Sequence, residues 1–245
     1  MSARATFATA ERVLRQLRRD HRTVALVFIV PPALIALLKY VFDNQPAVFE
    51  RIGGPLVGLF PFILMFLITS IAMLRERTTG TLERLMSLPL AKIDLLAGYG
   101  LAFAVVAAAQ AGAASAVAFG LLDVKSEGAV WLVVLLAIAN ALLGMALGLF
   151  LSAFATSEFQ AVQFMPAFVL PQLLLGGLFV PRERMPSALE HVSDFLPLTY
   201  AYDGLERVTS SATYSSELWL DIGVVTACII LALVLGATTL RRRTP

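Results

Sequence analysis

The chain has 245 residues, 58% of them hydrophobic and only 15% charged, with a formal net charge of +2. A soluble chain of this size carries roughly a quarter charged residues to keep its surface hydrated, so the composition excludes a water-soluble globule and indicates an integral membrane protein. The lone Cys228 and the separated His21 and His191 leave no disulfide framework and no thiol or imidazole cluster for a metal. Nor is there a Ser/His/Asp or Cys/His arrangement with its supporting context.

The first 22 residues are too long and too rich in arginine for a secretory signal. At helical spacing Ala3, Phe7, Ala10, Val13, Leu14 and Leu17 share one sector, while Arg4, Arg12, Arg15, Arg18, Arg19 and Arg22 gather on another. That pattern predicts an interfacial helix on an anionic inner leaflet, the alternative being a basic tail that only fixes topology.

Roughly 20 apolar residues are needed to cross a hydrocarbon core as a helix. Six stretches qualify: residues 24–42, 55–74, 95–122, 129–155, 161–180 and 218–240. They lack the alternation of barrel strands, so each must satisfy its backbone internally as a helix. The predicted fold is all-α: one polytopic domain over residues 1–245 with six transmembrane helices. Most of the 19 basic residues fall on one side. These are the N-terminal arginines, then Arg75, Arg77, Arg84 and Lys92, then Arg241, Arg242 and Arg243, which predicts both termini in the cytoplasm. Lys39 lies near the outer end of the first span, where it can snorkel. No basic residue marks the loop 156–160.

The inner connector, residues 75–94, is more than a tether. Leu82, Leu85 and Met86 recur at helical spacing, Thr78 and Thr79 are placed to cap a short helix, and Pro89 is placed to stop it. The residues fit a helix lying on lipid. They fit equally a knob for a cytoplasmic partner, with Glu76, Arg77, Glu83 and Arg84 at its rim. In the outer connector, residues 181–217, Leu189, Val192, Phe195 and Leu196 form one apolar pattern. Pro197 breaks it and Tyr200 to Val208 resume it, which predicts a broken amphipathic hairpin at the membrane surface.

Ala108, Gly112, Ala116 and Gly120 form a small-residue face on the third span, and Gly144 with Gly148 makes a GxxxG on the fourth. Both suit close helix contact, within the chain or across a dimer seam. Pro31, Pro32, Pro61, Pro166 and Pro171 interrupt spans one, two and five, as bends or as fits to neighbouring helices. Ionisable groups are almost absent from the spans, which argues against coupling to an ion gradient. A GxxxxGK[ST] loop is also missing, so any nucleotide energy has to come from another subunit.

The run Glu76-Arg-Thr-Thr-Gly80-Thr-Leu-Glu-Arg-Leu-Met-Ser-Leu-Pro89 resembles an element of the permease subunits of type-2 ABC exporters, the group containing daunorubicin-resistance and nodulation-type permeases. The outer Gly176-Gly-Leu-Phe-Val-Pro181, Met185-Pro186 and Leu196-Pro-Leu-Thr-Tyr-Ala-Tyr-Asp-Gly-Leu-Glu-Arg207 are similar to that family's second signature. Thr78-Thr79 departs from the family, where charged or bulky residues are common.

The resemblance implies a permease of six spans, paired with a second permease as homodimer or heterodimer, over two copies of a separate ATPase subunit. ATP and Mg would sit on that partner, with no cofactor and no enzymatic activity in this chain and no nucleic acid involved. It implies an ATPase-coupling helix formed by Glu76, Arg77, Gly80, Thr81, Leu82, Glu83, Arg84, Leu85 and Met86, and extracellular re-entrant helices over residues 186–208. The location implied is a bacterial inner membrane. By the same analogy spans two and five face the route, offering Phe60, Phe62, Met65, Phe66, Phe164, Met165 and Phe168 to a hydrophobic or amphipathic cargo such as a drug, a lipid or a lipid-linked glycan. An ATP-independent secondary efflux transporter is the alternative, and it would need intramembrane ionisable groups or an internal repeat.

Overall fold

The computed structural model describes residues 3–86 and 92–239, with side chains at 82, 83, 86, 92 and 93 excepted. The expected stop at Pro89 and the arginines 241–243 lie outside the described residues. Those described form helices and connecting turns, with no strand among them.

Helix α1 (Ala3–Arg19) turns Thr9, Ala10 and Val13 inward and leaves Phe7 exposed. It crosses α5 (Lys92–Gly120) at Gly98, where a Cβ would lie 2.5 Å from the Thr9 Cβ, so only glycine admits this approach. Asp20 ends α1 and caps α2 (His21–Val41), its carboxylate accepting from the Thr23 backbone N–H at 3.2 Å and the Thr23 hydroxyl at 2.7 Å. Those two bonds hold the Asp20 carboxyl below its ordinary range. Val27, Pro31 and Ile35 form the buried stripe of α2, four residues apart, flanked by the partly buried Phe28 and Leu38, and Leu26, Ile29, Leu37 and Tyr40 face outward as on a lipid-facing span.

Helix α3 (Pro46–Thr78) has 33 residues and is about 50 Å long, well beyond the hydrocarbon core. It absorbs residues 46–54, expected outside a span, and the start of the inner connector. Pro46 opens it at a position where a missing N–H costs nothing. Gly53-Gly54-Pro55 lies inside it. A Cβ on Gly54 would meet Thr209 at 2.3 Å, so the glycine serves close packing. Gly80, at φ +71°, then turns the chain into α4 (Thr81–Met86).

The GxxxG of α6 (Val130–Leu151) packs within the chain. A Cβ on Gly144 would come 2.1 Å from the Phe62 carbonyl oxygen, and one on Gly148 would come 2.4 Å from that of Phe66. The small face of α5 behaves differently: Gly112 and Gly120 have nothing near them, and Ala116 is exposed.

Helix α7 (Glu158–Leu175) carries Glu158, Gln160, Gln163 and Gln172 with two prolines. It stops five residues short of the expected boundary at 180, because Gly176 and Gly177, the latter at φ +95°, turn the chain. A 3-10 turn (Arg182–Arg184) and α8 (Ser187–Ser193) lead to α9 (Pro197–Ser210) and α10 (Ser216–Thr239). Among the described residues five helices are long and apolar enough to cross a membrane: α2, α3, α5, α6 and α10. One core joins α1, α2, α3, α5 and α6, and a second joins α3 and α6 to α7, α9 and α10.

Candidate functional site

Three consecutive charged residues end α3, and successive side chains on a helix point about 100° apart. Arg75 forms a two-pronged pair with Glu158 at the start of α7, Nε to Oε1 at 2.7 Å and Nη2 to Oε2 at 3.0 Å. Glu76 points instead toward α1, where its Oε1 accepts from Arg12 Nη1 at 3.3 Å. Arg77 reaches the end of α6, Nη1 donating to the Ser152 carbonyl at 3.3 Å. One turn of helix therefore tethers three neighbours.

The middle tether is the most buried. Glu76 is 5% exposed, while Arg12 lies over the Tyr99 ring at 5.4 Å and also donates to the Tyr99 hydroxyl. A cation on an aromatic face, paired with a carboxylate away from water, is far stronger than a surface pair. Sequence periodicity set Arg12 on the basic face of α1. The structure instead turns it inward, partly buried, against Tyr99 and Glu76.

Glu76, a rim residue of a docking knob by its sequence pattern, is instead buried near the end of α3. Because α3 runs through Thr78, Glu76 still belongs to the long helix and not to the short one. Thr78 and Thr79 likewise do not cap α4 as their spacing predicts. Both hydroxyls donate back to the Arg75 carbonyl, at 3.3 and 2.7 Å, and so close α3. Thr79 and Thr81 share a hydroxyl contact of 3.0 Å across Gly80. On α4 Arg84 is exposed, and Leu85 is partly buried against the first core. The side chains of Leu82, Glu83 and Met86 lie outside the described residues.

Of the expected route residues, Phe62, Met65 and Phe66 are fully buried inside the chain, because the α6 glycines draw that face of α3 against α6. Phe60, Phe164 and Met165 are partly exposed, and Phe168 is 48% exposed. The structure thus divides these residues between core and surface and does not gather them in one lining.

The outer connector folds as a cap. Leu198, Tyr202, Leu205 and Val208 of α9 are buried, as expected for the resumed pattern, whereas Leu189, Val192 and Phe195 of the first pattern are exposed. Arg182 holds the cap together, Nε donating to the Ser193 hydroxyl at 2.9 Å and Nη1 to Asp203 at 3.0 Å, with Asp194 also in contact. Asn140 on α6 donates to the Ala201 carbonyl at 3.2 Å. Burial raises the Asp203 carboxyl above its ordinary range despite Arg182, and burial together with the Asp203 charge raises Glu206.

The helices also carry more buried charge than their apolar runs announced. Glu76, Asp94 and Asp221 sit near the ends of α3, α5 and α10, shielded by protein. Lys39 donates to the Leu122 carbonyl.

Residues 4–208 match the family described as ABC-2 type transporter. The chain is similar to ABC transporter G family member 20 of Dictyostelium discoideum, with 25% identity over 83% of this chain and 28% of that protein. It is also similar to the probable multidrug ABC transporter permease YbhR of Escherichia coli strain K12, with 27% identity over 68% of this chain and 44% of that protein. A third relative is nodulation protein J of Rhizobium leguminosarum bv. viciae, with 28% identity over 69% of this chain and 64% of that protein. The chain therefore covers less than two thirds of the length of each of these relatives. With a match spanning most of its length and several membrane-crossing helices, the chain belongs to the ABC-2 type transporter family and is a multi-pass membrane protein.

Proposed function

We propose that the chain is the permease subunit of an ATP-driven exporter, worked from the cytoplasm by a separate ATPase that grips α4. The observation carrying this reading is the three-way tether at the end of α3, one turn away from α4. A force on α4 is delivered through Gly80 to Arg75, Glu76 and Arg77, and from them to α7, α1 and α6 together. Closure of two ATPase subunits on ATP would then shift the bundle between inward-open and outward-open packings, since nucleotide favours the closed pair.

In this reading α7 is the fifth of six crossings, α8 and α9 dip back toward the membrane from outside, and both termini are cytoplasmic in a bacterial inner membrane. Two permeases and two ATPases make the complex, with ATP and Mg on the latter. The docking residues are Gly80, Thr81, Leu82, Glu83, Arg84, Leu85 and Met86, with Arg77 and Glu76 as the transmitting base. The cargo is hydrophobic or amphipathic, in keeping with the printed names of the multidrug permease YbhR and the linearmycin resistance permease of Bacillus subtilis. Its route keeps Phe60, Phe164, Met165 and Phe168, while Phe62, Met65 and Phe66 support that route from behind.

Gly80→Pro and Glu83→Arg test the reading in the reconstituted complex. Both are expected to abolish substrate-stimulated ATP hydrolysis while the protein still inserts. Full stimulation in both variants would refute the docking assignment.

A further inference from the structure

We propose that the groove between α5 and α10 holds one acyl chain of an anionic inner-leaflet phospholipid, with Arg77 at the head-group end. The inference rests on the cytoplasmic placement of the end of α3 in the reading above. Its test measures lipid binding and not transport, so it fails or stands apart from the docking of an ATPase on α4.

The groove has a volume of about 550 Å³, within the size range of small-molecule sites. Helices α5 and α10 both pack on α6 but barely meet each other, which leaves a channel between them with Met145 and Leu149 as its floor. Small residues keep it open on the α5 side. Ala97, Gly100 and Ala104 face it at three- and four-residue spacing, and a Cβ on Gly100 would meet nothing within 4 Å. Ile229, Leu233 and Gly236 of α10 form the opposite wall. Leu101 and Val234 stand at the two rims, 36% and 53% exposed, so the groove opens sideways to the surrounding hydrocarbon.

Its two ends differ in charge. Arg77 donates to the Ser152 carbonyl just past α6, and Gly236 packs against Phe150 in the last turn of the same helix, so both mark the inner end. The stretch of α10 from Ile229 to Ala237, both lining the groove, rises about 12 Å, close to half of a hydrocarbon core of roughly 30 Å. Among the described residues that line the groove Arg77 alone is charged, and the others are apolar. A chain lying in the groove therefore sets its head beside a guanidinium at the inner surface, which favours a head of net negative charge over a zwitterionic one. An apolar helix from a second copy would gain nothing from that charge and would have to desolvate it.

Photo-crosslinking tests this in bilayers holding the full chain and a trace of phosphatidylglycerol or phosphatidylethanolamine, each with a diazirine on the same acyl chain. Phosphatidylglycerol is expected to label residues 96–104 and 229–237 about fivefold more than phosphatidylethanolamine, the effect of one basic side chain at the surface. Gly100→Leu fills the groove without a clash and should remove that labelling, while labelling of the outward Leu26 and Ile29 on α2 continues. Arg77→Gln should bring the two lipids to near parity, and Gly100→Leu carries the test if that variant does not fold. Equal labelling by the two lipids overturns the proposal, as does a groove left unlabelled because a second copy covers it. A preference that persists in Gly100→Leu, or in folded Arg77→Gln, also overturns it.

Discussion

The two ends of α3 are held by different physics. At the outer end α9 is held by close approach: Gly54 admits Thr209, Gly58 admits Leu205 and Asn140, and the backbone N–H groups of Glu127 and Gly128 donate to the Thr209 and Val208 carbonyls at 2.9 and 3.0 Å. At the inner end the neighbours are held by long charged side chains reaching from Arg75, Glu76 and Arg77. Close packing has one good arrangement and resists displacement, whereas side-chain tethers tolerate rotation of the helices they join. The contrast describes a fixed cap at one end of α3 and an adjustable base at the other.

The comparison breaks most visibly if packing along α3 is not tight. Gly144→Leu forces a side chain into the Phe62 backbone and is expected to cost about 3 kcal/mol or more, read as loss of monodisperse folded protein after extraction. A well-folded variant would show that α3 and α6 are not in contact as described. Next is the base itself. Arg12→Ala leaves the buried Glu76 without its partner and should destabilise the chain by about 2 kcal/mol, less than a fully buried pair because Arg12 is partly exposed. Adding Glu76→Gln should recover much of that loss in thermal melts, whereas additive losses would show that the two residues do not interact.

The cap should respond to pH. Asp203 and Glu206 have carboxyl pKa values raised in the folded state, so their contribution favours folding below the ordinary carboxylate range and is lost as pH rises through the raised values. Hydrogen exchange over residues 197–210, corrected for intrinsic rate, should therefore quicken as pH rises from about 4. Asp203→Asn should flatten the trend, and slower exchange at higher pH would reverse the argument. The smallest effect is expected at Arg75. Its pair with Glu158 is more than half exposed on both sides, so Arg75→Ala should cost about 0.5 kcal/mol in thermal melts at low salt and less at high salt.

Much of this was legible from the chain. Apolar length located α2, α3, α5, α6 and α10, five of the six expected crossings, and helical spacing located α1, α4 and α9, because each depends only on a segment's own pattern. What was hidden depends on a neighbour. Arg12 reads as one more arginine on a basic face until Tyr99 and Glu76 are seen across from it. Gly54 lies before the expected start of the second span at 55, and only Thr209 shows why α3 has no side chain there. Phe62 and Phe66 are indistinguishable in sequence from Phe164 and Phe168, yet the α6 glycines bury the first pair, while Phe164 is only partly buried and Phe168 is exposed. The boundary at Thr78 was missed because the charges of Arg75 to Arg77 suggest a span's end, whereas in the structure protein contacts let the helix continue.

The central claim is that α4 receives the force and the end of α3 distributes it. Proteoliposomes holding the complete complex, with ATP-driven efflux and ATP hydrolysis measured in the same sample, test it most directly through Gly80→Pro, which φ +71° forbids without rearrangement. The account predicts that efflux is lost while unstimulated hydrolysis by the ATPase persists. Efflux at the unaltered rate in that variant would contradict it.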